Sequence, residues 1–296
     1  MAKNNWSKKG SFSSKTLFVL GIATVFFIIA ILGFILYLSY STKEKPPEPI
    51  STSTVVAKIE KPQPPVPQKP HIPLAKVAII IDDLGRDRAQ LKEILEIDAP
   101  IAIAVLPFLP NSENAAKEAY LNGREVLLHL PMEPKDLSNN DPGEGAILTT
   151  MSEKQVASQV KKDIDAIPHI IGINNHMGSK FTENERLMKI VLEIAKEKNL
   201  FFLDSKTTNK STAYRLAKEL GLKTLSRQVF LDNKEDIDYI KGQIRELIEV
   251  AKKRGSAIAI GHPHHTTILA IKEMVPMLKR EVEIVALSTL IDSVDE

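Results

Sequence analysis

The chain has 296 residues, of which 43% are hydrophobic and 26% charged, a composition typical of a folded protein with one large domain or two small ones. The net charge of +2 gives no sign of a nucleic-acid partner. Because the chain contains no cysteine, disulfides, thiolate zinc sites and cysteine nucleophiles are excluded.

Residues 16–40 form an apolar segment in which no position carries a charge. About 20 apolar residues in a helix cross a bilayer, so we predict a transmembrane signal anchor here. Four lysines precede it: Lys3, Lys8, Lys9 and Lys15. The positive-inside rule then places residues 1–15 in the cytoplasm and the remainder of the chain on the periplasmic side of the cytoplasmic (inner) membrane. A cleaved signal peptide is the alternative, but its apolar region is usually about 7–15 residues long and ends at a small-residue site that is absent here.

Residues 41–75 have the composition of a disordered linker. They hold nine of the 18 prolines, among lysine, glutamate, glutamine, serine and threonine. Such a segment buries too little apolar surface to fold. In polyproline II form it would reach up to about 100 Å. We therefore predict a spacer between the membrane and a globular domain at 76–296.

In the domain, short apolar runs alternate with amphipathic segments. Continuous apolar runs between helices are typical of parallel strands that are buried on both faces. The predicted strands are Val77–Ile81, Ile101–Leu106, Glu125–Leu130, Ile170–Ile173, Leu200–Leu203, Val229–Leu231, Ser256–Ile260 and Val282–Ala286. The alternation predicts a single α/β domain, either a (β/α) barrel or an open doubly wound sheet.

Helix boundaries are signalled at several positions. Ser152–Gln155 and Thr182–Glu185 both fit the capping box, which predicts helices that begin there. Asn233 is the predicted cap of a long helix that runs to about Arg254. Three glycines follow helical stretches and predict their ends: Gly123, Gly221 and Gly255.

Histidine and aspartate are concentrated just after the predicted strands, where both architectures place their chemistry. These residues are Asp82, Asp83, His129, His176, Asp204, Asp232, His262, His264 and His265. Each alone fits a turn, a helix cap or a buried core histidine. Together they predict a metal or acid–base site, because aspartate and neutral histidine bind divalent cations. Such a cation would supply the positive charge that lets Asp82 and Asp83 stand side by side.

Four motifs in this order resemble the divergent polysaccharide deacetylase family, a distant branch of the NodB-type carbohydrate deacetylases. They are Ile80–Gly85, Leu128–Pro134, Asn174–Ser179 and Gly261–His264. The resemblance spans about residues 75–292. It implies a distorted (β/α) barrel of the polysaccharide deacetylase type and a divalent metal, usually Zn2+. It also implies hydrolysis of acetyl groups, N-acetyl more than O-acetyl, from a polysaccharide or amino sugar.

The resemblance also implies roles for individual residues. Asp82 corresponds to the general base and Asp83 to a metal ligand. His129 matches the first histidine of the family's next motif, also a ligand. Glu133 stands in place of that motif's second histidine, so the third ligand is His176 or, as the alternative, Glu133.

A histidine after a late strand is the general acid of the wider family. His262 matches it, and His264 is a second option. Asn175, Asp204 and Arg227 are candidates for substrate binding or for bracing the site, with Asp204 as an acceptor for a ligand histidine. The loop at 133–150 has the length and glycine content of a lid.

Three other functions fit parts of the sequence. A phospho-acceptor receiver domain has an acidic pair after its first strand, but His129 occupies its acceptor position. A glycoside hydrolase would use two carboxylates, such as Asp83 with Glu133 or Asp204, and no metal. A catalytically inactive glycan-binding or envelope-assembly protein is favoured by the loss of the second metal histidine at Glu133.

Overall fold

The computed structural model describes residues 28–38 and 74–293. Residues 28–38 form helix α1. Within these described ranges, no helix is both long and apolar enough to cross a membrane. The rest of the predicted anchor, the predicted cytoplasmic tail and residues 41–73 of the predicted linker lie outside the described residues.

Strands and helices alternate along the domain. The strands are β1 (Lys76–Leu84), β2 (Ala102–Val105), β3 (Val126–Met132), β4 (Ile170–Met177), β5 (Phe201–Asp204), β6 (Thr224–Ser226), β7 (Val229–Phe230), β8 (Ser256–Gly261) and β9 (Glu283–Ile284). The helices are α2 (Arg88–Leu95), α3 (Ser112–Leu121), α4 (Glu153–Ala166), α5 (Glu185–Glu197), α6 (Ala213–Glu219), α7 (Ile237–Arg254), α8 (His265–Glu281) and α9 (Leu287–Asp292), with a 3-10 turn at Phe181–Glu183.

The strands form one nine-stranded sheet in which every pair is parallel. The order β6-β5-β4-β3-β2-β1-β8-β7 follows the chain around a circle that is open between β6 and β7. This is the strand order of a (β/α) barrel curled into a half-barrel, not of a doubly wound sheet. The short β9 pairs with the first residues of β1, at Lys76 and Val77.

Two hydrophobic cores lie on the two faces of this sheet. Val77, Ile79 and Ile81 of β1 join the larger core, which includes the helices, whereas Ala78 and Ile80 join the inner core. Side chains alternate between faces along a strand, so a strand buried on both faces reads as a continuous apolar run.

Helix α9 contributes Leu287, Leu290 and Ile291 to the inner core. The backbone N–H of Ser288 donates to the carboxylate of Glu125, directly before β3, at 3.2 Å. The helix therefore closes the amino ends of the strands and leaves the carboxyl ends open.

All eight predicted strands overlap observed ones, but β6 was not predicted, because its three residues form no apolar run. The capping box at Ser152 is confirmed. Two predicted helix starts were wrong. Thr182 lies in the 3-10 turn and Asn184 caps α5, while Asp236 rather than Asn233 caps α7. In both cases a polar residue closer to the first helical turn accepts the backbone N–H.

Candidate metal centre and active site

Asp82 and Asp83 both approach His129 because β1 is irregular where it ends. In a regular strand, neighbouring side chains point to opposite faces. The register between β1 and β2 shifts between Ile81 and Leu84, and Asp83 has φ of 60°. This β-bulge turns two consecutive carboxylates towards one site. A left-handed backbone at a non-glycine residue costs about 1 kcal/mol or more, which is typical of a position under functional constraint.

Three potential ligand atoms lie almost equidistant at the carboxyl ends of β1, β3 and β4. Asp83 Oδ1 is 3.0 Å from His129 Nε2 and 2.9 Å from His176 Nδ1, and the two nitrogens are 3.1 Å apart. Atoms bound at about 2.1 Å to one metal ion lie about 3.0 Å apart at right angles and about 3.4 Å apart at tetrahedral angles. Asp83 Oδ1 is buried and accepts no hydrogen bond of good geometry within the described residues. The three residues therefore fit a divalent cation.

Asn174 determines which nitrogen of His129 is free. Its Nδ2 donates to Asp82 Oδ1 at 2.9 Å, so its Oδ1 faces His129 Nδ1, also at 2.9 Å. A carboxylate only accepts, which assigns this amide orientation and makes His129 Nδ1 the donor. The lone pair of His129 is then on Nε2, which points towards Asp83 and His176. Asn174 thereby positions both the predicted base and a predicted ligand histidine.

On the opposite side of Asp83 lies a histidine–carboxylate pair. His262 Nδ1 is 3.0 Å from Asp232 Oδ1, and its Nε2 is 3.8 Å from Asp83 Oδ2. Asp232 also accepts from the backbone N–H of His262 and from the hydroxyl of Thr267, at 2.6 and 2.8 Å. With both oxygens of Asp232 occupied, the His262 ring is held with Nε2 towards the site.

The pKa of each of these groups depends on its burial and on the charges of the neighbouring side chains. Burial raises the pKa of Asp82, against the opposing effect of His129 and His262. Burial acts the same way on Asp83, but the imidazoles of His129 and His176 beside it outweigh burial and hold its pKa well below the usual range. Burial opposes the charged form of His262, but the bond to Asp232 and the neighbouring carboxylates raise its pKa to about 9. The carboxylates thus need positive charge beside them, as a metal would also provide.

Glu133, the alternative third ligand, lies outside this group. Its Oε1 is 2.6 Å from Lys180 Nζ, and its Oε2 accepts from the backbone N–H of Thr149. The base of the loop at 133–150 is pinned by further bonds, because Ile147 exchanges backbone hydrogen bonds with Pro131 and Glu133. Any lid motion is therefore restricted to the loop's outer part.

Asp204 was expected to accept from a ligand histidine, but its oxygens instead accept from the backbone N–H of Lys206 and the hydroxyl of Ser211, both at 2.8 Å. The chain turns back directly after β5, which directs this carboxylate into its own loop. Asn175 braces the same loop, since its Oδ1 accepts from the backbone N–H of Ser205 at 2.9 Å.

Arg227 donates to the carbonyl of Ser205 at 2.6 Å and to that of Lys206 at 2.8 Å. His264 lies at the rim with a half-exposed side chain, 3.5 Å from Glu235. It forms a looser group with Asp232 and His262.

Two residues of the site were not assigned a role from the sequence: Asn174 and Asp232. The period of two along β4 was the available signal for Asn174, because it shares a face with His176 while Asn175 does not. Asp232 lies two residues after β7, but its partner His262 is 30 residues away, directly after β8.

Comparison with known proteins identifies the family. Residues 79–291 match the family described as divergent polysaccharide deacetylase. The chain belongs to this family. The resemblance of the four motifs is therefore confirmed, and the receiver-domain alternative is removed.

Two bacterial proteins resemble the chain over most of its length. The uncharacterized protein YibQ of Escherichia coli K12 is 37% identical over 217 residues, covering 73% of this chain and 67% of YibQ. An uncharacterized protein of Haemophilus influenzae is 36% identical over 216 residues, covering 73% of this chain and 76% of the relative.

A solved structure shares the fold. The crystal structure of an uncharacterized protein from Agrobacterium tumefaciens C58 aligns with a TM-score of 0.71 at 21% identity, covering 75% of this chain and 92% of that one.

Proposed function

We propose that this protein is a metal-dependent hydrolase that removes acetyl groups, N-acetyl groups foremost, from an acetylated polysaccharide or amino sugar. The observation that carries the proposal is the triangle of Asp83 Oδ1, His129 Nε2 and His176 Nδ1, whose sides measure 2.9–3.1 Å. Family membership supports the reaction class. Zn2+ is the expected cation, because two imidazoles and one carboxylate suit it, although such a set also accepts cobalt, nickel or manganese.

Asp83, His129 and His176 would hold the cation. When bound, it supplies Lewis acidity and lowers the pKa of a coordinated water. Asp82 would accept a proton. Its Oδ1 takes the Asn174 amide hydrogen, and its Oδ2 is 3.6 Å from His129 Nε2. His262, which lies on the other side of Asp83 and is oriented by Asp232, would donate a proton to the departing amine. Acetate and a free amino sugar would result.

The first test measures metal content by elemental mass spectrometry together with acetate release from a tetramer of N-acetylglucosamine. We expect near-stoichiometric zinc in the wild type and loss of metal in both His129→Ala and His176→Ala. Asp82→Asn should keep the metal and lose acetate release by about 100-fold or more, because general base catalysis is worth about that factor. His265→Ala is the matched control, since that side chain is 75% exposed and pairs with Glu93.

Other outcomes would select other functions. Metal binding with glycan affinity but no acetate release from any acetylated glycan would favour the binding or envelope-assembly protein. Glycan cleavage that survives chelation would favour the two-carboxylate glycoside hydrolase. A wild-type protein that holds no metal even after reloading would overturn the proposal.

A further inference from the structure

A basic cleft opens beside the candidate site, at the break in the sheet between β6 and β7. Its volume is about 580 Å³, within the range of pockets that hold small ligands. Charged side chains on its walls are Lys206, Arg215, Arg227, Arg254 and Asp204. Hydroxyl groups add hydrogen-bonding capacity: Thr208, Ser211, Tyr214 and Ser226.

The break between β6 and β7 is bridged by Gln228. The backbone N–H of Gln228 donates to the carbonyl of Ile258 at 3.0 Å, and its side-chain Oε1 accepts from the N–H of Ile258 at 2.7 Å. Its Nε2 reaches the carbonyl of Ser226 on β6. The Gln228 side chain therefore joins β6 to β8 where the sheet has no strand pair, and it lines the cleft.

Positive charge in this cleft is only partly neutralised. Arg215 pairs with Glu185 and Glu219. Lys206 and Arg254 are exposed, and in the part of the chain that the structure describes neither has a carboxylate partner.

The remaining cation and the single carboxylate in the cleft are bound to the loop after β5. Arg227 donates to backbone carbonyls rather than to a carboxylate. Asp204 is fully buried, and both of its oxygens already accept hydrogen bonds. The cleft therefore offers cations to a ligand without a competing exposed acid.

Two chains of contacts connect the cleft to the candidate site. Arg227 donates to the carbonyl of Ser205, whose hydroxyl is 3.3 Å from the Asn174 amide that holds Asp82. The guanidinium of Arg227 also lies 4.8 Å from the ring centre of Phe230, which in turn is 5.2 Å from the ring centre of His262. Arg227 therefore lies between the cleft and the candidate site, in contact with groups on both sides.

We propose that this cleft binds an anionic sugar, carrying a carboxylate or a phosphate, next to the sugar that is deacetylated. The substrate would then be an acidic acetylated glycan. This inference rests on the proposed function and specifies its substrate class. Lys206 and Arg254 are the residues that select the charge, because in the described ranges these two cations of the cleft have no carboxylate partner. Charge-assisted bonds to such anions are strong.

The test compares two tetrasaccharides that differ only in charge. Heparosan tetrasaccharide alternates glucuronate with N-acetylglucosamine, and its carboxyl-reduced form is neutral with the same linkages. Binding of each to the zinc-supplemented full-length chain in mild detergent is measured by calorimetry. Glucose 6-phosphate and glucuronate serve as competitors that distinguish a phosphate from a carboxylate as the preferred anion.

We expect the acidic tetrasaccharide to bind at least 10-fold more tightly than the reduced one, with a preference that shrinks as salt increases. The double variant Lys206→Ala/Arg254→Ala should abolish the preference, whereas Lys253→Ala, one position along α7, should retain it. Equal affinity for the two tetrasaccharides together with no competition by either anion, or a preference that survives the double variant, would overturn the inference.

Acetate release from the neutral N-acetylglucosamine tetramer is measured in parallel. If the charge preference is absent while acetate is released, the inference fails and the proposed function stands. If the preference is present without acetate release, the anion site stands and the proposed function fails.

Discussion

Asp163 is a buried carboxylate that the proposed chemistry does not use. It lies on α4 and is fully buried, with one oxygen accepting from Gln159 Nε2 at 2.8 Å and the other without a partner among the described residues. Gly145 of the loop at 133–150 packs against it so closely that an added Cβ would lie 2.8 Å from Asp163 Oδ1. Burial raises the pKa of Asp163 to about 7, against weaker opposing effects of Gln159 and Lys162.

This raised pKa predicts that the protein loses stability as the pH rises. The folded state keeps the proton up to about pH 7, whereas the unfolded state releases it near the ordinary value of 3.8. The folded state therefore binds more protons between these values, and the free energy of unfolding falls across this window and stays low above it. Because an asparagine side chain cannot ionise, Asp163→Asn should raise the free energy of unfolding by about 1–3 kcal/mol at pH 8 and much less at pH 4.5.

Thermal or denaturant melts at the two pH values check this prediction. Asp165→Asn is the matched control, because that carboxylate is 72% exposed on the same helix and should change stability little at either pH. A gain that is equal at pH 4.5 and pH 8 would show that Asp163 is not protonated in the folded state.

Single residues of the candidate site were predictable where residue type alone carries the signal. Aspartate and histidine at strand ends suggest a cation, and the resemblance to the polysaccharide deacetylases selected Asp83, His129 and His176 among them. The β-bulge at Asp83 could not be predicted, since it depends on a register shift against β2. Asn174 was missed because two adjacent asparagines differ only in the face they occupy.

At the scale of elements, the start of α7 offers a direct comparison of two capping candidates. The Asp236 side chain accepts from the backbone N–H of Tyr239 at 2.8 Å, and its φ and ψ of −131° and 130° are extended, as an N-cap requires. Asn233 is exposed and lies three residues before it. Helix α7 packs Ile240, Ile244 and Leu247 into the core, so weakening its first turn affects the folded domain.

We predict that Asp236→Ala lowers the free energy of unfolding by about 0.5–2 kcal/mol, because an orphan backbone donor loses its acceptor. Asn233→Ala should change it by less than about 0.5 kcal/mol, the usual range at an exposed surface position. Denaturant melts of the two variants beside the wild type decide between the caps. The reverse order of the two effects would mean that α7 begins earlier in solution.

Elements with strong periodicity were predictable, and short or locally capped ones were not. The runs that became β1, β3 and β8 are long and apolar, because a parallel strand buried on both faces has few polar positions. The three residues of β6 follow no such pattern, and its pairing with β5 comes from the tertiary structure. The open edge between β6 and β7 could therefore not be predicted from the sequence, and neither could the basic cleft that lies there.

For the whole molecule, the distribution of apolar residues outside the domain supports attachment to a membrane. In α1 the described side chains are exposed, including Phe34 at 62% and Leu36 at 69%. A helix that is apolar on all sides needs either a protein partner or lipid around it. We propose that residues 16–40 anchor the chain in the cytoplasmic membrane and that the domain lies on the periplasmic side, as the flanking lysines indicate.

Cell fractionation and protease access test the anchor. The full chain should sediment with membranes, resist extraction by carbonate and high salt, and dissolve in detergent. Deletion of residues 16–40 should release the chain into the soluble fraction. Deletion of residues 46–70, which is of equal length but falls in the predicted linker, should leave it in the membrane.

In spheroplasts, added protease should digest the domain of the full chain, because the positive-inside rule leaves only residues 1–15 on the protected side. A mature chain whose mass shows removal of about the first 20 to 40 residues, together with a soluble periplasmic domain, would instead identify a cleaved signal peptide.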